Sequence, residues 1–168
     1  MTSQHPIIEL PKARGEWAEL RFMTRAAEHG LVITKPWGES ARYDFVIEHE
    51  GCLLRVQVKS TLHKIDDEGF RCNVLTNHGP YAHNQIDYIA AYVIPLDLWY
   101  IIPADAIVGQ RSVSLFPRSE DSKYNPYKEA WHLLKQKRCA GNIRDCDLCF
   151  RRGCPARVEK QETIVDQT

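Results

Sequence analysis

Apolar and polar residues alternate through Leu53-Leu54-Arg55-Val56-Gln57-Val58-Lys59-Ser60. That two-residue period belongs to a strand with one buried face. Leu54, Val56 and Val58 fall on the core side, and Arg55, Gln57 and Lys59 share the other. Residues 43–48 predict a preceding strand, joined to it through Glu50-Gly51 as a hairpin. Upstream, Arg14 to His29 repeats with a helical period and stops at Gly30. Leu31 to Thr34 predicts a short strand, broken by Pro36 and Gly38. Downstream, strands are predicted over Phe70–Leu75, Tyr88–Ile94, Leu98–Ile102 and Val113–Phe116. A turn is predicted over Asn77–Pro80, and a short helix near Ala82. Pro95-Leu96-Asp97 connects two of the strands, and Pro103 opens a helical turn. Asn125-Pro126 opens a final helix, Tyr127 to Lys137. This order predicts an α/β (α+β) domain built around one mixed sheet. Its boundary falls near Arg138, where a cysteine-rich tail begins.

Composition narrows the class. The chain has 168 residues, 43% hydrophobic and 26% charged, as expected of one globular domain with a small appendage. No apolar run approaches the roughly 18 residues that span a bilayer, so no membrane partner is expected. The first ten residues carry no apolar signal core, and a cytoplasmic location is expected. Net charge is zero, but its distribution is uneven. Eight basic residues and three acidic ones lie between Lys135 and Lys160, leaving that segment at +5 and the remainder at −5. A concentrated basic tail fits a polyanionic partner; a merely solvated face would read the same way.

The candidate chemistry sits on the first helix and on the strand pair. On a wheel advancing about 100° per residue, Leu20, Phe22, Met23, Ala26 and Ala27 form one arc, and Glu19 lands inside it. A carboxylate facing a core is costly unless it is paired or metal-bound. Asp44 begins the first strand of the pair; Gln57 and Lys59 follow on the second. Phosphodiester hydrolysis needs a hard cation to polarise phosphate and acidify water. Mg²⁺ prefers oxygen ligands, which Asp44 and Gln57 provide. Lys59 is placed to orient a nucleophile or to stabilise developing negative charge. Taken alone, the spacing D-x(12)-Q-x-K also fits an exposed polar face of an antiparallel strand. The upstream acid on a helix favours the nuclease reading.

These residues resemble the PD-(D/E)XK nuclease superfamily, and within it the group I intron-associated (homing) endonucleases. The likeness is carried by Gly15-x-x-Ala18-Glu19, Tyr43-Asp44-Phe45-Val46-Ile47 and Arg55-Val56-Gln57-Val58-Lys59-Ser60-Thr61. It continues in Asp87-Tyr88-Ile89-Ala90-Ala91-Tyr92-Val93 and Trp99-Tyr100-Ile101-Ile102-Pro103, so that it covers roughly residues 12 to 110. Tyr43 stands where the superfamily has its proline, and Gln57 where most members carry Asp or Glu. The homing branch uses Gln-x-Lys, so the second departure points to that branch. The resemblance implies a restriction-endonuclease-like fold, a central mixed sheet flanked by helices, over residues 12–137. It implies Asp44, Gln57 and the Val58 carbonyl as Mg²⁺ ligands, Glu19 as the helix acid, Lys59 as the catalytic lysine, and 5′-phosphate products. The expected activity is Mg²⁺-dependent cleavage of double-stranded DNA. Cutting both strands needs two sites, so a homo-oligomer, a dimer or a dimer of dimers, is expected. A Holliday-junction resolvase, a DNA-repair nuclease and an inactive DNA-binding module remain alternatives.

The tail, residues 138–160, lies outside that resemblance. Cys139-x(6)-Cys146-x(2)-Cys149-x(4)-Cys154 supplies four thiols, enough for a closed tetrahedral Zn²⁺ site. Disulfides, free thiols and an iron–sulfur cluster remain alternatives. Cys52 and Cys72 lie in predicted strands and read as small buried residues. His78, His83 and Asp87 lie close enough in sequence to touch a site, while Trp99, Tyr100 and Trp131 read as core. Ser60 and Thr61 are candidates for phosphate contact.

Overall fold

A computed structural model describes residues 8–38, 40–76, 79–82 and 85–135. One α-helix, α1 (Pro11–Glu28), precedes seven strands: β1 (Val32–Thr34), β2 (Phe45–His49), β3 (Cys52–Thr61), β4 (Phe70–Asn73), β5 (Tyr88–Val93), β6 (Leu98–Pro103) and β7 (Ser112–Leu115). Pro11 sits in the first turn, where no intrahelical partner for its nitrogen is needed, so the helix begins a turn before the predicted Arg14. Gly30, at φ 70°, ends it.

Five strands form a mixed sheet in the order β1-β2-β3-β5-β6. β2 and β3 are antiparallel, joined through Glu50 and Gly51 at φ 49° and 80°. Two successive left-handed residues give the turn whose twist matches a hairpin. β3 runs parallel to β5, with Gln57 opposite Ile89 and Lys59 opposite Ala91. β4 and β7 pair in a separate two-stranded ribbon.

The alternation read from β3 holds. Leu54, Val56 and Val58 enter one core with Phe22, Phe45, Trp99 and Trp131, under α1. β5 is buried on both faces, and its Ile89, Ala91 and Val93 enter a second core with Phe70, Cys72, Val113 and Leu115 of the ribbon. The ribbon thus takes the place of the helix expected on that face of the sheet; α1 is the one α-helix among the described residues. No described helix is long and apolar enough to cross a membrane. Trp99, Tyr100, Trp131 and Cys72 are buried as expected, while Cys52 is partly exposed.

One helix prediction fails. Tyr127–Lys137 does not form an α-helix; its described part is short 3-10 turns, Asn125–Tyr127 and Trp131–Lys135. Glu129, at φ 49°, interrupts the run to donate its N–H to the Trp99 carbonyl, while its carboxylate accepts from Trp99 N–H and Trp131 Nε1. The short helix expected near Ala82 would run through residues 83 and 84, which lie outside the described residues.

Candidate active site

Asp44 lies in a bend just before β2, held there because its backbone N–H donates to the Val56 carbonyl at 3.0 Å. This bond continues the β2–β3 pairing and turns the carboxylate toward β3. Asp44 Oδ2 accepts from Gln57 Nε2 at 2.6 Å and from the Val58 N–H at 2.7 Å. Gln57 Nε2 also points at the Val58 carbonyl, 3.4 Å away. One amide therefore links the three groups named as ligands. Burial pushes the Asp44 pKa up to about 6, and repulsion from Glu19 adds to this. The Val58 N–H, the Lys59 charge and Gln57 pull in the other direction.

Lys59 shares the Gln57 face of β3 and is partly exposed, not turned into the core. Its ammonium makes no hydrogen bond or ion pair among the described residues, yet its charge is felt at Asp44 and at the Cys72 thiol. An unpaired cation beside a carboxylate is available to an incoming anion.

The reading of Glu19 as a buried acid needs correction. α1 buries Ala18, Phe22 and Ala26, while Leu20 is 62% and Met23 37% exposed. Two alanines flanking Phe22 let the helix lie close on the sheet, so the buried arc centres on Phe22. Glu19 is then at the flank, and its Oε2 accepts from Lys35 Nζ at 2.8 Å. Glu16, Glu19, Lys35, Tyr43 and Asp44 line one cleft of about 370 Å³. Lys35, which sequence reasoning missed, has its pKa raised by the Glu19 hydrogen bond, with Asp44 and Glu16 contributing, and its ammonium sits 5.7 Å above the Phe45 ring. The β1–β2 register would have found it. Thr34 pairs with Val46, which sets Lys35 beside Phe45 and Asp44.

The other candidates divide. Asp87 stays out of the cleft. It ties the Arg55 guanidinium at 3.1 and 3.2 Å and accepts the Arg55 N–H at 2.8 Å, holding β3 to the entry of β5. The Thr61 hydroxyl is occupied in joining β3 to β4, donating to the Arg71 carbonyl at 2.6 Å. His78, His83 and the four tail cysteines, Cys139, Cys146, Cys149 and Cys154, lie outside the described residues.

Among the described residues no three His, Cys, Asp or Glu side chains are placed to hold a metal. A cation here would depend on one carboxylate, an amide oxygen and a backbone carbonyl, which suits a hard ion that keeps several waters. The fit is electrostatic. Asp44 is desolvated and accepts only neutral donors, so its ionised form lacks a bonded cation. Rotating the Gln57 amide would present oxygen in place of nitrogen toward that position.

Among curated proteins no sequence matches the chain. The solved structure of a bacterial homing endonuclease, I-Ssp6803I, is similar, with 31% sequence identity and a TM-score of 0.66. The likeness covers 76% of this chain and 92% of that one. A family model described as PD-(D/E)XK endonuclease matches residues 10–134, a span holding α1, both strands of the β2–β3 pair and the cleft lined by Glu19, Lys35 and Asp44, and the chain belongs to that family.

Proposed function

We propose that the chain is a Mg²⁺-dependent endonuclease of the homing type, cutting double-stranded DNA as a homo-oligomer. The observation that carries this reading is the Asp44–Gln57–Val58 cluster with an unpaired Lys59 on the same strand face. Asp44, Gln57 and the Val58 carbonyl would hold the ion. When bound, it supplies Lewis acidity to phosphoryl oxygen and lowers the pKa of water.

The remaining chemistry belongs to the side chains. Lys59 binds a non-bridging phosphate oxygen and stabilises the charge that grows as water attacks phosphorus and the 3′ oxygen departs. That direction of attack leaves phosphate on the 5′ side. Glu19 accepts from Lys35 through one oxygen, and its other oxygen, with no partner among the described residues, orients the attacking water. Lys35, 61% exposed, limits the mutual repulsion of Glu19 and Asp44. Gln57 contributes a ligand without adding a third negative charge to this pair. The homing reading rests on the Gln-x-Lys motif together with the likeness to I-Ssp6803I.

Supercoiled plasmid incubated with the full chain tests the activity. Nicking is expected with Mg²⁺, none with chelator, and none in Asp44→Ala or Lys59→Ala. Undiminished nicking in chelator refutes the metal dependence, and activity retained in both variants refutes the site. Salt-sensitive DNA binding without nicking would establish the DNA-binding module instead.

A further inference from the structure

The β4–β7 ribbon has one face the catalytic proposal does not use. Along both strands burial alternates. Phe70, Cys72, Val113 and Leu115 point inward and are at most 3% exposed. The outward residues are Arg71, Asn73, Ser112 and Ser114. The register sets Arg71 opposite Ser114 and Asn73 opposite Ser112, making a two-by-two polar patch on a rigid base. No carboxylate belongs to it, whereas ordinary solvated sheet faces mix both signs of charge.

The patch adjoins a cleft of about 720 Å³ lined by Arg14, Ser60, Arg71, Asn73, Arg111 and Ser112, again without a carboxylate. The Arg71 and Arg111 guanidinium groups make no hydrogen bond or ion pair among the described residues. Asn73 uses its side-chain oxygen to accept the Leu75 N–H at 2.8 Å, which leaves its amide hydrogens free to donate. Backbone bonds fix the ribbon next to the catalytic strand. Arg71 N–H donates to the His63 carbonyl at 2.8 Å, and Val74 N–H to the Arg111 carbonyl at 3.0 Å. Lys59 lies near enough for its charge to be felt at Cys72, on the ribbon's inner face.

A two-stranded ribbon fits the major groove of B-form DNA, about 12 Å wide. Arginine reads guanine there through two bonds, and a side-chain amide or hydroxyl reads the other base edges. Backbone phosphates are gripped by cations that carry no sequence information. We propose that the outward face of β4–β7 is the base-reading surface of this chain, with Arg71 and Asn73 contacting base edges and Arg14 and Arg111 holding flanking phosphates. The proposal rests on the reading of duplex DNA as substrate. The three residue-to-residue steps along each four-residue strand, at about 3.3 Å apiece, give a face of about 10 Å, which at about 3.4 Å per base step covers roughly three base pairs.

The test uses the full chain and a duplex library of random sequence, with bound molecules sequenced, beside plasmid nicking. The wild type is expected to select preferred bases. Arg71→Ala and Asn73→Ser should each flatten the preference within one block of about three adjacent pairs, by about tenfold or more. Serine at 73 keeps an oxygen for the Leu75 N–H. Arg111→Ala should weaken binding to all sequences alike and lower the slope of log affinity against log salt by about one. Unchanged preferences in both ribbon variants, or losses scattered over the site, would overturn the assignment, as would a wild type without preferences. Absence of nicking by the wild type would instead overturn the catalytic reading, because library binding is scored without cleavage.

Discussion

Replacing Asp44 by asparagine should stabilise the metal-free protein while removing its activity. Burial raises the Asp44 pKa from 3.8 to about 6, so the folded state disfavours the ionised carboxylate. Each tenfold change in proton affinity is worth about 1.4 kcal/mol, which gives about 3 kcal/mol for the full shift. Screening of a partly exposed group reduces this to about 2–3 kcal/mol. The sign follows from the direction. A raised carboxylate pKa contributes stability that is complete below about pH 4 and is lost as pH climbs through 6. Asparagine stays neutral, and its side-chain oxygen still accepts the Val58 N–H. Urea unfolding in chelator at pH 4, 5, 6 and 7.5 should show a gap between variant and wild type that is near zero at pH 4 and reaches about 2–3 kcal/mol by pH 7.5. The slope m should be unchanged, because the same surface is exposed. Saturating Mg²⁺ should then raise the wild type alone, by about 2.7 kcal/mol at a hundredfold excess over Kd. An asparagine variant no more stable than wild type at pH 7.5, or a gap independent of pH, would refute the electrostatic account of this site.

Gln57→Glu should reverse the sign. A second carboxylate would face Asp44 where an amide now donates at 2.6 Å, so the metal-free protein should lose about 2–4 kcal/mol at pH 7.5. Isothermal titration should show tighter Mg²⁺ binding, and equal stability to wild type would contradict the prediction. Phe22→Ala should cost about 3–5 kcal/mol by chemical unfolding, because this fully buried ring packs against Phe45, Trp99 and Trp131 at 5.4 to 5.7 Å. A loss below about 1 kcal/mol would mean that α1 packs elsewhere. Elemental analysis of the full chain should find one zinc per chain, abolished in the double variant Cys146→Ser, Cys149→Ser. Iron with a visible absorbance would point to the alternative cluster.

Strand positions were legible because period-two alternation in β3 marks one core-facing row, and continuous apolar runs mark β5 and β6 as buried. The hairpin was legible from Glu50-Gly51. Which element covers each face was not, because Phe70, Cys72, Val113 and Leu115 reach the second core only after distant segments pair. The final helix failed for a similar reason. Tyr127 to Lys137 has helical spacing, but Glu129 gains buried partners in Trp99 and Trp131 by leaving helical geometry.

The candidate site shows the same division between local and distant causes. Asp44, Gln57 and Lys59 could be named because strand alternation and a two-strand register bring them together. Glu19 could be named too, but its environment was misread, since an arc drawn to include Leu20 and Met23, both exposed, puts Glu19 inside it. Close helix packing instead favours the face whose flanking residues are small, Ala18 and Ala26 on either side of Phe22. The corrected position is the more useful one for chemistry. A core-facing carboxylate would be desolvated like Asp44 and would hold its proton, leaving two acids competing for one charge. At the flank Glu19 keeps contact with water and gains Lys35, while Asp44, in the drier position, bears the desolvation penalty that a bound cation would relieve.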